Sequence, residues 1–214
     1  MKPNELFKHL REVDYINVGK KLDYFLETDD KNKIIRVMFQ ESKQKLDWFF
    51  NFLFMLFPTV IGGCPYWFSI GWWTSWESAR KLILHCILSE IEKHKDYKIE
   101  ICGFSFGGAI AQLCGIEIFE ATGIKSDLIT FGSPKPLFNF FTKLKAKRCF
   151  NSVTQYAHWS DVVTWCPPLF GYHTVKNIRL GKFSLKGLFD VYKYHRIYSD
   201  ETIYEVKNED CTKS

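Results

Sequence analysis

Apolar residues recur along this chain with two different spacings, and the two alternate. From Ala79 through Leu82, Ile83, Cys86 and Ile87 to Ile91 they stand three or four apart, the buried stripe of an amphipathic helix. Thr74-Ser-Trp-Glu77 in front of that stripe has the form of a capping box, so the pattern predicts a long helix that opens there and ends near His94. Shorter runs rich in β-branched and aromatic residues read as strands: residues 22–26 and 33–39 about the turn-prone Thr28-Asp-Asp-Lys-Asn32, then 99–102, 127–131 and 152–157. Residues 109–121 form a second helical run, with Gly123 where a left-handed cap belongs. Strands alternating with helices predict an α/β domain with its sites at the carboxyl ends of the strands. No repeat, low-complexity tract or long linker interrupts the order, so residues 1–214 are expected to form a single domain.

Composition narrows the class. A chain of 214 residues, 46% hydrophobic and 17% aromatic, can bury a substantial core and is not disordered. Its seven cysteines are scattered, odd in number and without C-x-x-C or zinc-ligand spacing, which predicts reduced, mostly buried thiols and no metal site. The first ten residues mix charges with apolar residues and lack the apolar core of a secretory signal, so a cytoplasmic location is expected. The net charge is +5, but basic clusters interleaved with aromatics and known binding motifs are missing, so no nucleic-acid partner is expected. The excess is unevenly spread. Lys176 to Arg196 holds six basic residues and one acid, Asp190, and Leu128 to Ser160 holds no acid but includes Lys143, Lys145, Lys147 and Arg148. Such faces are either ordinary solvated surface or are drawn to an anionic lipid interface.

The candidate chemistry begins at Gly103-Phe-Ser-Phe-Gly-Gly108, a Gly-x-Ser-x-Gly pentapeptide between a predicted strand and a predicted helix. That context is the one a nucleophile elbow needs, because the serine sits on a strained turn whose neighbours leave no room for side chains. Ser105 is the candidate nucleophile. A serine hydroxyl needs a histidine to take its proton and a carboxylate to orient that histidine. Downstream, the stretch His158-Trp-Ser-Asp-Val-Val-Thr-Trp-Cys-Pro-Pro168 directly follows a predicted strand and makes Asp161 the candidate acid, the alternative being a turn or cap residue. His173 and His195 both remain candidates for the base. The backbone N–H of Phe106, the residue after the nucleophile, is a candidate oxyanion donor.

Over roughly residues 34–198 the sequence resembles the fungal-type, or class 3, triacylglycerol lipase family. The resemblance rests on the elbow, on the segment around Asp161, on Phe131-Gly-Ser-Pro-Lys135, and on Arg36-Val-Met-Phe-Gln-Glu-Ser42 followed by Asp47-Trp48. It implies an α/β-hydrolase fold, with a mostly parallel central sheet flanked by helices, and a serine ester hydrolase acting on lipid acyl esters without metal or organic cofactor. It favours His195, in Tyr194-His-Arg-Ile-Tyr198, as the base and Ser42 as the second oxyanion donor. A phospholipase, thioesterase or acyltransferase with the same triad, or a catalytically silent lipid- or protein-binding member, are the alternatives. Two departures stand out: Phe104 and Phe106 flank the serine, and Gln40-Glu41 replaces the family's Arg-Gly, putting a carboxylate beside a presumed oxyanion donor. The family carries a lid where this chain has Trp48-Phe-Phe-Asn-Phe-Leu-Phe-Met-Leu-Phe57, so a lid within 43–66 is expected, the alternative being an ordinary core helix. No transmembrane segment is expected, since this run is too short to span a bilayer. Transient contact with a lipid interface is.

Overall fold

The computed structural model describes residues 1–18, 22–40, 56–167 and 171–205. Helix α1 (Pro3–Glu12) leads into β1 (Ile16–Val18), β2 (Leu22–Asp29) and β3 (Ile34–Phe39), and β2 and β3 pair antiparallel about the expected turn. The chain continues through β4 (Leu56–Ile61), β5 (Cys64–Ser69), helix α2 (Ile70–Lys93), β6 (Lys98–Phe104), helix α3 (Phe106–Thr122) and β7 (Ser126–Phe131). After β8 (Leu137–Phe138) and helix α4 (Phe140–Arg148) come β9 (Phe150–His158), β10 (Gly171–Tyr172), β11 (Ile178–Leu180) and two short helices, α5 (Val191–His195) and α6 (Thr202–Glu205).

Seven strands form one sheet in the order β1-β2-β3-β6-β7-β9-β11, parallel from β3 onward. In this sheet antiparallel pairing is confined to the β1-β2-β3 edge, where a short turn suffices to join neighbours; the parallel pairs β3-β6, β6-β7 and β7-β9 need the crossovers that α2, α3 and α4 supply. A smaller four-stranded sheet, β10-β8-β5-β4, stands apart.

Both faces of the large sheet are covered, as a parallel sheet requires. On one face Val37, Ile99, Ile101 and Leu128 pack against α2 and α3, the latter buried from Gly107 to Ile118. On the other, Met38, Cys102, Phe104 and Phe131 pack against Leu6, Phe7 and Leu10 of α1 and against Tyr198. The alternation of strand side chains between two buried faces explains why these strands read as continuous apolar runs.

Helix α2 departs from the expected start. It begins at Ile70 behind Ser69, and Thr74 is inside it, its Oγ1 donating back to the Ile70 carbonyl at 2.8 Å instead of capping. Trp72 and Trp73 are buried on this added turn, with Trp76 buried just beyond it, and their packing outweighs the local cap preference. Ala79, Ile83 and Ile87 are buried as the stripe predicts, whereas Leu82 is exposed. The helix ends at His94, as expected. Most of the apolar 48–57 run, and residues 43–55 of the expected lid, lie outside the described residues. From Leu56 onward the chain is a hairpin, β4 pairing with β5 about Gly62-Gly63, both with positive φ. The six described cysteines are free, with Cys102, Cys114 and Cys149 buried.

Candidate active site

Ser105 sits between β6 and α3 with φ 55° and ψ −122°, a backbone conformation that a residue with a Cβ adopts only where its surroundings enforce it. Two constraints do so here. The Ser105 N–H donates to the Phe131 carbonyl on the neighbouring strand at 2.9 Å. The turn is also crossed at van der Waals limits: a Cβ on Gly107 would lie 2.1 Å from the Phe39 carbonyl oxygen, and one on Gly103 would lie 2.3 Å from that of Gly107. Both glycines are therefore required by contact with β3 and with the first turn of α3. Helix α3 starts at Phe106, earlier than residue 109, so the Phe106 N–H is the first of the helix and has no partner within it. It lies at the positive end of the helix dipole, beside the serine.

Asp161 follows β9 and caps a single 3-10 turn, Val162–Trp165, accepting from the Val163 N–H at 3.1 Å through Oδ1. Its role as a turn cap and its position facing the histidine are thus compatible. His195 ends α5, and its ring lies tilted on Phe104 with centroids 4.9 Å apart. Its Nε2 is 2.7 Å from Ser105 Oγ, and its Nδ1 is 2.9 Å from Asp161 Oδ2 and 3.0 Å from Oδ1. All three side chains are buried. With Nδ1 protonated toward the carboxylate, Nε2 is left as an acceptor for the Ser105 hydroxyl.

Two contributors escaped the sequence reading. The Tyr198 hydroxyl donates to Asp161 Oδ2 at 2.6 Å and accepts from the His158 N–H at 3.0 Å. Burial, reinforced by the Asp161 charge, pushes the ionisation of Tyr198 well above its usual range, so it remains a neutral donor. Gly132, with φ 56°, leaves the space in which these groups meet: a Cβ there would lie 3.0 Å from Asp161 Oδ2, 3.0 Å from His195 Cε1 and 3.1 Å from Tyr198 Cε2. Both belong to segments already singled out, Phe131-Gly-Ser-Pro and Tyr194-His-Arg-Ile-Tyr198, but only spatial proximity gives them these parts.

His173, the competing candidate, and His158 are both turned elsewhere. His173 Nε2 lies 3.0 Å from the Thr164 carbonyl and 2.9 Å from the Asn177 amide nitrogen. Burial and then the cations Lys135, Arg179 and Lys143 push its pKa down to about 3, against the Thr164 hydrogen bond. His158, at the end of β9, is buried and accepts through Nδ1 from the Ser160 N–H at 3.1 Å. Ser42 and Glu41 lie outside the described residues. The end of β3 nevertheless reaches the elbow, since Phe39 pairs with Gly103 and the Phe39 and Gln40 carbonyls press on Gly107. Among the described residues no group of three or more His, Cys, Asp or Glu side chains is placed to hold a metal ion.

Comparison with known proteins finds lipases both in sequence and in fold. The chain is 35% identical over 66 residues to Lipase A of Sodiomyces alcalophilus, covering 30% of this chain and 16% of that protein. It is 26% identical over 156 residues to a lipase of Rhizomucor miehei, covering 67% of this chain and 40% of that one. The chain thus spans less than half the length of these curated relatives. The crystal structure of the mono- and diacylglycerol lipase from Aspergillus oryzae superposes with a TM-score of 0.66 at 24% identity, over 80% of this chain and 64% of that one, and it shares the α/β-hydrolase fold. Residues 36–171 match the family described as Lipase (class 3), and the chain belongs to that family.

Proposed function

We propose that this protein is a serine ester hydrolase that cleaves acyl esters of lipids through an acyl-enzyme on Ser105. The observation that carries the reading is the unbroken hydrogen-bond chain Ser105–His195–Asp161, reinforced by Tyr198. His195 Nε2 takes the hydroxyl proton as Ser105 Oγ attacks the acyl carbonyl. Asp161 orients His195 and stabilises the imidazolium, and the donors of Val163, Tyr198 and His195 converge on its carboxyl oxygens. The carbonyl oxygen gains negative charge next to the Phe106 N–H, where a preorganised donor lowers the barrier by about 3 kcal/mol. The tetrahedral species collapses as His195 returns the proton to the departing alcohol. Water then repeats the sequence on the ester of Ser105 and releases the acid.

Lipid as the substrate class rests on membership of the class 3 lipase family and on similarity to the lipase of Rhizomucor miehei. No helix among the described residues is long and apolar enough to cross a membrane. An active-site-directed fluorophosphonate tests the chemistry. Wild-type protein should be labelled and Ser105→Ala should not; equal labelling of the two would refute the assignment. Hydrolysis of emulsified long-chain esters in preference to soluble short-chain esters would support the lipid substrate, and the reverse preference would oppose it.

A further inference from the structure

Three segments at the carboxyl edge of the large sheet interlock beside the triad. The loop after β9 and the chain after β11 are held together by the Trp159 N–H to Leu180 carbonyl bond at 3.1 Å and the Ser184 N–H to Ser160 Oγ bond at 2.8 Å. Gly187 presses on the first of these loops, where a Cβ would lie 2.4 Å from the Ser160 carbonyl oxygen. Helix α5, which ends in His195, closes the group. This rigid platform turns large apolar side chains outward: Phe189 is 91% exposed, Leu185 66%, Phe183 62% and Tyr192 60%, with Trp159 and Trp165 also exposed. Between the two tryptophans and Phe183 lies an open hollow of about 330 Å³.

A cluster of exposed aromatics on an ordered platform costs solubility unless something covers it. Its charge identifies the cover. Lys182, Lys186 and Lys193 are exposed among these aromatics, and Arg179 stacks on the Trp165 ring at 4.0 Å. From Trp159 to Arg196 there are two acids: Asp161 is buried at the triad, and Asp190 accepts from the Lys193 N–H as a helix cap. Two copies of the chain meeting through this face would oppose lysine to lysine. Aromatic rings that stop at headgroup depth, ringed by lysines, match an anionic bilayer instead.

We infer that the face formed by Trp159, Trp165, Phe183, Leu185, Phe189 and Tyr192, with Lys182, Lys186 and Lys193, docks the protein on an anionic lipid bilayer. This goes beyond the ester-hydrolase reading, because docking requires no turnover and no opening of the site. Docking would set α5, and therefore His195, against the membrane.

The test is co-sedimentation of the full chain carrying Ser105→Ala, so that no lipid is consumed, with vesicles of phosphatidylcholine alone and of phosphatidylcholine mixed with phosphatidylserine. The protein should sediment with the mixed vesicles, should bind phosphatidylcholine at least about tenfold more weakly, and should be released by salt. Lys182→Glu/Lys186→Glu/Lys193→Glu should abolish the preference for phosphatidylserine. Phe183→Ser/Phe189→Ser should weaken binding to both vesicle types, and Phe189→Ser alone, at a side chain that packs on little else, guards against misfolding of the double variant. Absence of binding to the mixed vesicles, binding unchanged in the lysine and phenylalanine variants, or concentration-dependent dimerisation abolished by Phe189→Ser would overturn the proposal. Failure here leaves fluorophosphonate labelling untouched, and failure of labelling leaves vesicle binding untouched.

Discussion

Tyr198→Phe separates the energetic from the catalytic part of the hydrogen-bond chain. The substitution keeps the ring, which lies 5.6 Å from Phe7, 6.0 Å from Phe131 and 6.3 Å from Phe104 between centroids, and removes only the hydroxyl. Two bonds go with it. The one to the buried Asp161 carboxylate, at 2.6 Å, is charge-assisted and worth about 1.5–3 kcal/mol. The one from the His158 N–H, at 3.0 Å, leaves a buried donor without its partner, at about 1–3 kcal/mol. Partial relaxation brings the expected loss of stability to about 3 kcal/mol, read as a lower midpoint in urea with an unchanged slope. Catalysis should suffer less, because Val163 and His195 still hold the carboxylate: kcat should fall about tenfold, the equivalent of one hydrogen bond of about 1.4 kcal/mol, with KM unchanged. Wild-type stability in the variant would show that neither bond contributes. A kcat loss as large as that of Asp161→Asn, about 10⁴-fold, would show that Tyr198 participates in the chemistry instead of positioning the acid.

Gly132→Ala should lower kcat at least about tenfold, because its methyl would stand 3.0 Å from both Asp161 Oδ2 and His195 Cε1 and push them apart by tenths of an ångström. The same variant should lose about 1–2 kcal/mol of stability from its φ of 56°, measured by thermal unfolding; normal activity would contradict the triad's dependence on this gap. His173 predicts a pH dependence of stability. The folded protein keeps it neutral to about pH 3 while the unfolded chain protonates it near 6.5, so its contribution is complete above 6.5 and is lost as pH falls toward 3. The unfolding midpoint should drop over that window, and His173→Gln should flatten the drop; parallel curves for the two proteins would refute it.

Much of this site is legible in the chain itself because its signals are local. A nucleophile on a strained turn demands Gly103 and Gly107 within two residues of Ser105, and the strand before it and the helix after it write their own periods. The same holds for the antiparallel pair β2–β3 and for the Gly123 cap, each specified by adjacent residues. Where the reading slipped, packing beyond the local segment was responsible: the buried Trp72 and Trp73 pull the start of α2 back to Ile70 past an apparent capping box.

By itself, then, the sequence determined the order of elements and the candidate nucleophile on its strained turn, since these depend on backbone sterics and on spacing along the chain. The choice of His195 was favoured by resemblance, but only the tertiary structure shows which of the two histidines meets Ser105. His173 and His195 differ little as residues in a sequence, but the first follows β10 and turns to the Thr164 carbonyl, while α5 returns the second across 90 residues to Ser105. The parts of Tyr198 and Gly132 were decided in the same way. A carboxylate buried at the end of a parallel strand must be satisfied by whichever donors the neighbouring strand ends bring to it, and sequence distance does not encode that meeting.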